Sequence, residues 1–339
     1  DMFNDRLNIA VDYYDKLTYN LIQSQTMGWT GSIGLDAMLV NQGKIRNRGA
    51  ELTIGWSDQV GDWSYYVNGN YSFNKNTVED IGIKDAAGNS GLWVGGGEFG
   101  NLRDYYQTTQ GGEVNSFYLI ECAGIFQSIE ELYAHQKDGK LIQPNAQPGD
   151  LKFVDYNGDG TLDANDKTMV GDPNPDFILG LNLNFYLYGF DFALSGYGNF
   201  GQQIFRAYRR YGDSQYNNYT TEIFNYWHGE GTTNKYPRIV PGTNYNYMQN
   251  SDLFIENADF FRIQTISLGY DFNKLWKNSP FGQLRLYVQA QNPFVITKYK
   301  GFDPEVGSDG GSGNNWAKGL DMGYYPQART MILGVNLKF

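Results

Sequence analysis

The chain has 339 residues, a net charge of −11, 16% aromatic residues and a negative mean hydropathy. The negative charge argues against nucleic acid as a partner, because phosphate recognition needs stripes of lysine and arginine. No run of 18 apolar residues is present, which excludes a transmembrane helix. A transmembrane barrel stays open, because its strands need only about 9–11 alternating residues. The first residues lack the basic and apolar regions of a signal peptide, so we expect that one was removed or that the chain is a piece of a longer protein.

Apolar and polar residues alternate with a period of two in eight segments, which predicts eight strands with one apolar and one polar face each. In WSYYVNGNYSFN, which begins at Trp63, the apolar positions are Trp63, Tyr65, Val67, Tyr71 and Phe73. The other segments, in chain order, are RLNIAVDYY, AELTIGW, FILGLNLNFYL, FDFALSGYGN, ISLGYDF, LRLYVQAQN and TMILGVNLKF.

The connections between these strands alternate in length, which is typical of an outer-membrane barrel with short periplasmic turns and long external loops. A β-sandwich would spread its loop lengths over both ends. The strand-like segment 113–126 would break this count as a lone crossing, so we expect it to lie outside the membrane. The predicted short turns are 57–62, 188–189 and 273–283, and the predicted extracellular loops are about 18–46, 77–176, 201–258 and 300–325.

In such a barrel the polar face lines an aqueous lumen and the apolar face meets lipid. The lumen prediction covers Asn182, Asn184, Arg285, Gln289 and Gln291. The lipid-facing prediction covers Tyr65, Val67, Tyr71, Leu181, Leu183, Leu286 and Val288. Two alternatives remain open: a small eight-stranded barrel that acts as an adhesin or anchor, and a secreted, calcium-stabilised glycan-binding module.

The stretch DYNGDGTLDAND has the oxygen spacing of a calcium loop, with glycine at its sixth position for the sharp turn. A bound Ca²⁺ would pin a loop of about a hundred residues that is costly to order, so we predict a structural clip rather than a catalytic metal. The alternative is a solvated turn of the Asn-Gly and Asp-Gly type. The predicted ligands are Asp155, Asn157, Asp159, the Thr161 carbonyl, Asp163 and Asp166.

No catalytic site is predicted. The acid pairs Glu130/Glu131 and Asp303/Glu305 are close neighbours on loops, which indicates solvated faces rather than the carboxylates of a glycosidase. Phe339 ends an alternating strand and resembles the assembly signal of outer-membrane proteins. Loop aromatics are candidates for stacking on a substrate: Trp93, Tyr105, Tyr106, Trp227, Tyr236 and Trp316.

Four stretches resemble the C-terminal part of SusC/RagA-type TonB-dependent transporters: KIRNRGAELTIGW, GDLKFVDYNGDGTLDANDKTMVGDPNPDFILGLNLNF, QAQNPFVITKYKGFDPEV and ILGVNLKF. The resemblance runs along nearly the whole chain and implies an all-β fold, the last eight strands (15 to 22) of a 22-stranded barrel. The family's plug and first strands would lie outside these residues. The resemblance also implies energised import of bulky nutrients such as oligosaccharides or oligopeptides, a SusD-like lipoprotein lid, TonB below, an integral outer-membrane location and a periplasmic C-terminus.

Overall fold

A computed structural model of the chain describes residues 2–25, 38–82, 91–92, 105–209, 219–240, 246, 250–306 and 318–339. Its strands are β1 (Leu7–Tyr19), β2 (Ile22–Gln25), β3 (Met38–Asn41), β4 (Lys44–Val60), β5 (Trp63–Asp80), β6 (Gly91–Leu92), β7 (Tyr106–Thr109), β8 (Ser116–Ile120), β9 (Cys122–Ile125), β10 (Gln136–Lys137), β11 (Lys140–Leu141), β12 (Leu151–Phe153), β13 (Lys167–Gly171), β14 (Phe177–Leu187), β15 (Phe190–Phe200), β16 (Gln203–Phe205), β17 (Ile255–Asn257), β18 (Phe260–Asp271), β19 (Gln283–Thr297) and β20 (Thr330–Lys338). The helical segments are α1 (Ile129–Ala134) and 3₁₀ turns at Ala164–Asp166, Thr221–Asn225, Asp252–Phe254 and Phe272–Lys274. In the described ranges, no helix is both long and apolar enough to cross a membrane.

Eight antiparallel strands form one continuous sheet in the order β1-β4-β5-β14-β15-β18-β19-β20. They are the eight alternating segments of the sequence, so the prediction of an all-β fold built from these strands is confirmed. Neighbouring strands of this sheet are also consecutive among these eight strands along the chain, because antiparallel neighbours need only a turn or a loop between them.

One face of this sheet is apolar. Direct cross-strand partners point to the same face, and one unbroken row of partners runs Val288, Leu268, Phe192, Phe185 and Tyr65 from β19 to β5. The predicted apolar set therefore does share a face: Tyr65, Val67, Tyr71, Leu181, Leu183, Leu286 and Val288.

The opposite face is polar. Asn182 lies opposite Ser195, and Gln289 lies opposite Ser267. Arg285 extends across the sheet from β19 and binds Asp191 of β15, with 2.8 Å between Nε and Oδ1. The residues predicted to line a lumen thus lie on the face away from Leu183 and Val288.

Short turns lie together at one end of the sheet. The β4–β5 turn is shorter than predicted, since β4 continues to Val60 and only Gly61 and Asp62 remain unpaired. Tyr188 and Gly189 join β14 to β15 with φ values of 49° and 89°, as a two-residue hairpin with a primed turn requires. The third connection, 272–282, begins with the 3₁₀ turn Phe272–Lys274.

The long loops all leave the opposite end. Two of them begin later than predicted, because β1 continues to Tyr19 and β5 continues to Asp80, and the first also ends earlier, because β4 begins at Lys44. Backbone pairing does not need apolar side chains, so these strands extend past the point where the apolar alternation stops. The segment 113–126 contributes β8 and β9 to small separate sheets, which confirms that it is not a ninth strand of the main sheet.

Candidate functional site at the loop end of the sheet

Three long loops share one apolar core. Phe117 and Leu119 come from the β5–β14 loop, Phe205 and Phe254 from the β15–β18 loop, and Leu320 from the β19–β20 loop. Their side chains are at most 5% exposed. The loops are therefore packed against one another as one body at this end of the sheet.

Tyr105 and Tyr106 belong to the same core, and both are 0% exposed. The prediction that they contact a substrate is wrong in this structure, because neither ring reaches the surface. Tyr106 begins β7, packs against Phe117 with ring centroids 5.1 Å apart, and donates its hydroxyl hydrogen bond to the carbonyl of Lys318. Burial of two aromatic side chains is a large contribution to a loop core.

Trp227 and Tyr236 are half-buried and lie side by side, since the Trp227 N–H donates to the Tyr236 carbonyl at 3.0 Å. The Trp227 indole Nε1 donates to Oε1 of Gln127 at 3.1 Å. Of the other aromatics predicted to contact a substrate, Trp93 and Trp316 lie outside the described residues. The contact of Trp227 and Tyr236 with a substrate stays a prediction.

A cavity of about 420 Å³ opens beside Gln127. The Gln127 side chain is fully engaged: Oε1 also accepts from the Gly231 N–H, and Nε2 donates to the carbonyls of Ile125 and Thr233. The amide therefore fixes the wall of the cavity. Glu131 and Lys152, of opposite charge, lie on its lining.

A cluster of ionic residues joins the loops beside the apolar core. Arg206 is 2% exposed and makes a bidentate pair with Glu222, with Nη1–Oε1 and Nη2–Oε2 distances of 3.2 and 2.7 Å. Arg209 reaches the same carboxylate at 2.5 Å. Glu256 of β17 binds Arg206 at 3.0 Å, and Lys300 lies 3.7 Å from Glu222. We call these five residues the ionic cluster.

The electrostatics of the ionic cluster favour its charged state. Burial raises the pKa of Glu222, but the hydrogen bond from Arg206 and the charges of Arg209 and Lys300 outweigh it, so this pKa lies below its ordinary value. Burial likewise lowers the pKa of Arg206, and the carboxylates of Glu222 and Glu256 more than restore it. Glu222 is therefore an anion held between three cations.

The acid pair Asp303 and Glu305 also binds an arginine. Arg262 of β18 is 2% exposed, and its Nη2 and Nε atoms lie 2.6 Å from Asp303 and 3.2 Å from Glu305. The prediction of a solvated face is wrong for Asp303, whose side chain is 12% exposed. Arg262 lies 41 residues before Asp303 in the sequence, so the residues around the acid pair did not indicate it.

The predicted calcium loop is closed by its own hydrogen bonds. Asp155 accepts from the N–H groups of Asp159 and Gly160 at 3.1 and 2.8 Å, and Asn157 accepts from that of Asp159 at 2.8 Å. Asp159 in turn accepts from the Thr161 N–H at 2.7 Å. The first three predicted ligands are thus gathered around one turn.

Asp166, the twelfth residue of the loop, is 0% exposed. Its Oδ1 accepts from the N–H groups of Tyr156 and Asn157, and its Oδ2 accepts from that of Asp163 at 2.8 Å. These bonds tie the end of the loop to its beginning. Among the described residues, no three His, Cys, Asp or Glu side chains converge as a metal site would require, so the fit to a cation is partial: Asp155, Asn157 and Asp159 cluster, whereas Asp166 serves the loop backbone.

Phe339 lies at the turn end of the sheet, far from this site. Its ring is 91% exposed and meets Phe281 edge-to-face, with centroids 5.4 Å apart. Its predicted role as an assembly signal stays a prediction.

Known proteins resemble this chain in sequence and in fold. Residues 1–105 match the family described as TonB dependent receptor-like, beta-barrel. The TonB-dependent receptor SusC of Bacteroides thetaiotaomicron is 32% identical over 222 residues, which cover 65% of this chain and 20% of SusC. The chain is a SusC homologue with a TonB-dependent receptor β-barrel fold. The resemblance stated from the sequence is thereby confirmed.

Other relatives match this SusC homologue along its whole length. TonB-dependent receptor P3 of Formosa agariphila is 27% identical over 342 residues, which cover 100% of this chain and 33% of the relative. Chains in structures of the RagAB peptide importer match in fold, with TM-scores of 0.73 in both the "open-open" and "closed-closed" states at 21% and 22% identity. Each match covers 99% of this chain and about a third of the RagAB chain. The SusC homologue thus spans a fifth to a third of the length of these proteins.

The ionic cluster of the SusC homologue was not found from the sequence. A signal existed in IFRAYRRYG, where arginines stand among aromatics in a chain that is otherwise acidic. Arginines that stand among aromatic residues are typical of buried arginines paired with carboxylates. The partners Glu222 and Glu256 lie on other segments, so only the folded chain identifies them.

Proposed function

We propose that this chain forms the C-terminal part of the barrel of an energised importer in the outer membrane. Such an importer takes up bulky nutrients such as oligosaccharides or oligopeptides. The observation that carries the proposal is the division of the sheet, with a continuous apolar face from β5 to β19 and a polar face behind it. In a barrel that arrangement gives a lipid-facing wall and an aqueous lumen. Homology to SusC supports the energised, TonB-dependent mechanism.

The orientation follows from the two ends of the sheet. Short turns belong on the periplasmic side and long loops outside, so the C-terminus would be periplasmic. The packed loops would then offer an ordered external platform, on which a SusD-like lipoprotein rests as a lid. TonB would act from below through parts of the protein other than these strands.

A purification of the complete transporter tests this proposal. We expect a SusD-like lipoprotein to co-purify from detergent-extracted outer membranes, and its density in a cryo-EM map to lie on the loop end. Uptake of the oligosaccharide or oligopeptide by cells should stop when the proton-motive force is collapsed. A transporter that purifies alone, or a lid bound at the turn end, would contradict the proposed arrangement.

We also propose that a divalent cation, Ca²⁺ by its ligand chemistry, reinforces the loop that begins at Asp155. The side-chain oxygens of Asp155 and Asn157 already converge on one group, the N–H of Asp159, and carboxylate and amide oxygens are ligands that Ca²⁺ prefers. The Thr161 carbonyl and Asp163 complete the predicted set. Asp166 would contribute chiefly by holding the loop backbone.

Two variants separate the cation from the backbone bonds. In Asp159→Ala, Ca²⁺ should no longer protect the loop from limited proteolysis of the purified transporter, whereas in the native protein chelation should expose it. Asp166→Ala should expose the loop with or without Ca²⁺, because three N–H groups lose their acceptor. Equal protection of the native protein and Asp159→Ala in calcium and in chelator would refute the cation.

If the loop is part of the platform, Asp159→Ala together with Asp166→Ala should also weaken association of the lid. The barrel should still assemble, because the strands and Phe339 are unchanged. Normal lid affinity in a double variant whose loop is demonstrably loosened would remove this loop from the platform.

A further inference from the structure

A cavity of about 550 Å³ lies on the apolar face of the sheet, over β1, β4 and β5, near their loop ends. Aromatic and basic side chains line it together. The small side chain of Ala50 lies between Tyr13 and Phe73, its direct partners on the two neighbouring strands, so a groove opens between the two rings. The lining residues are Tyr13, Arg46, Arg48, Gly49, Ala50, Phe73, Lys75, Thr77 and Glu79.

The apolar face of the sheet becomes basic from one row of cross-strand partners to the next. The row Tyr13–Ala50–Phe73 is followed on the same face by Asp15–Arg48–Lys75, and then by a row that contains Arg46. Ten residues separate Phe73 from Trp63 at the turn end, which is about 33 Å along a strand. With a tilt of about 40°, this becomes about 25 Å, the height of the apolar band of a barrel. The basic rows therefore begin where the headgroups of the outer leaflet begin.

The basic side chains are held in place and remain accessible. Asp15 Oδ2 lies 3.0 Å from both Arg46 Nη1 and Arg48 Nε, and Glu79 binds Arg46 from the other side. The Arg48 side chain is 56% exposed, and Lys75 is exposed as well. Three cations against two carboxylates leave one positive charge, in a chain whose net charge is −11. Such an arrangement favours an anion, and guanidinium groups match the geometry of phosphate.

We propose that this basic groove binds a membrane lipid with a phosphate-bearing headgroup in the outer leaflet. The phosphate would lie against Arg48 and Lys75. An acyl chain would run down the groove over Ala50, between Tyr13 and Phe73. The inference rests on the proposed function, in which this face meets lipid and the loop end points outward. Basic residues at the membrane surface attract anionic lipids in this way.

The test uses the complete transporter in phosphatidylcholine nanodiscs that contain either bisphosphorylated lipid A or its dephosphorylated form. Native mass spectrometry would measure the lipid that stays bound to the transporter after the transporter is released from the nanodisc. We expect the native protein to retain the bisphosphorylated lipid, and Arg48→Gln with Lys75→Gln to bind it about thirtyfold more weakly. The matched control is Lys16→Gln with Lys338→Gln, which removes the same charge from the opposite face of the sheet and should retain the lipid.

Equal retention of the two forms of lipid A, or equal loss in the control, would overturn the proposal. Inorganic phosphate in excess should not displace the lipid, and full displacement would show a free-phosphate site instead. Failure of the proposed function is distinguishable from these outcomes, because a complete chain that is soluble without detergent refutes the membrane face itself. A membrane-embedded transporter without phosphate preference refutes only the groove.

Discussion

Glu222→Gln should destabilise the packed loops by about 3 kcal/mol, because removing one partner of a buried ion pair leaves the other charges uncompensated. Arg206 is 2% exposed and Glu222 is 13% exposed, so water screens this pair only weakly. In the variant, Glu256 is the carboxylate that remains within the ionic cluster, against the cations of Arg206, Arg209 and Lys300. Hydrogen exchange of the complete transporter would measure the change as faster exchange in the amides of β16 and β17.

Glu230→Gln is the matched control for this substitution. Glu230 is an exposed carboxylate of the same segment, 219–240, and its loss should leave loop exchange unchanged. The strands of the main sheet should be unaffected in both variants, since the ionic cluster lies outside the sheet. Equal exchange in the native protein and Glu222→Gln would mean that the apolar core alone holds the loops.

The ionic cluster should also make the loops sensitive to acid. The pKa of folded Glu222 lies below its ordinary value of 4.5, so its contribution to stability is fully present above about pH 4.5 and is lost as the pH falls through the lowered, folded-state pKa. The protection of the loop amides from hydrogen exchange, corrected for the intrinsic exchange rate at each pH, should therefore fall in that acidic window. Glu222→Gln should lack this component, whereas Glu230→Gln should keep it.

The sheet was predictable from the sequence because its determinants are local. Alternation within FILGLNLNFYL already assigns Leu183 to one face and Asn182 to the other, and the register follows from the need to keep apolar side chains together. The strand ends were less accurate: Lys44 and Asp80 pair through their backbones although no apolar alternation marks them.

The loop end was less predictable because its contacts join distant segments. The sequence predicts Tyr105 and Tyr106 as surface aromatics, yet Tyr105 packs against Phe205, about a hundred residues away along the chain. Both rings lie in the core that the three loops share, with their centroids 4.7 Å apart, so segments of the other loops cover them. Nothing within DYYQTT indicates such a cover.

Leu183→Arg should cost about 2–4 kcal/mol of barrel stability if the apolar face meets lipid. Leu183 lies near the middle of β14 and faces Val67 and Leu194 on the neighbouring strands, so the arginine would enter the bilayer close to its midplane. Urea unfolding of the complete transporter in lipid vesicles would measure the cost as a lower midpoint. Heat-resistant migration on gels would show how much of the variant assembles.

Two further arginines make this a test of face and of depth. Asn182→Arg places the same side chain next along β14 on the polar face, opposite Asn68 and Ser195, where water would solvate it at far lower cost. Leu187→Arg stays on the apolar face but lies at the turn end, opposite Trp63, where the cost should fall to about 0–1 kcal/mol. A barrel wall requires this graded order. Equal costs at Leu183 and Asn182 would mean that both faces meet the same environment, and the lumen and the lipid-facing wall would be lost together.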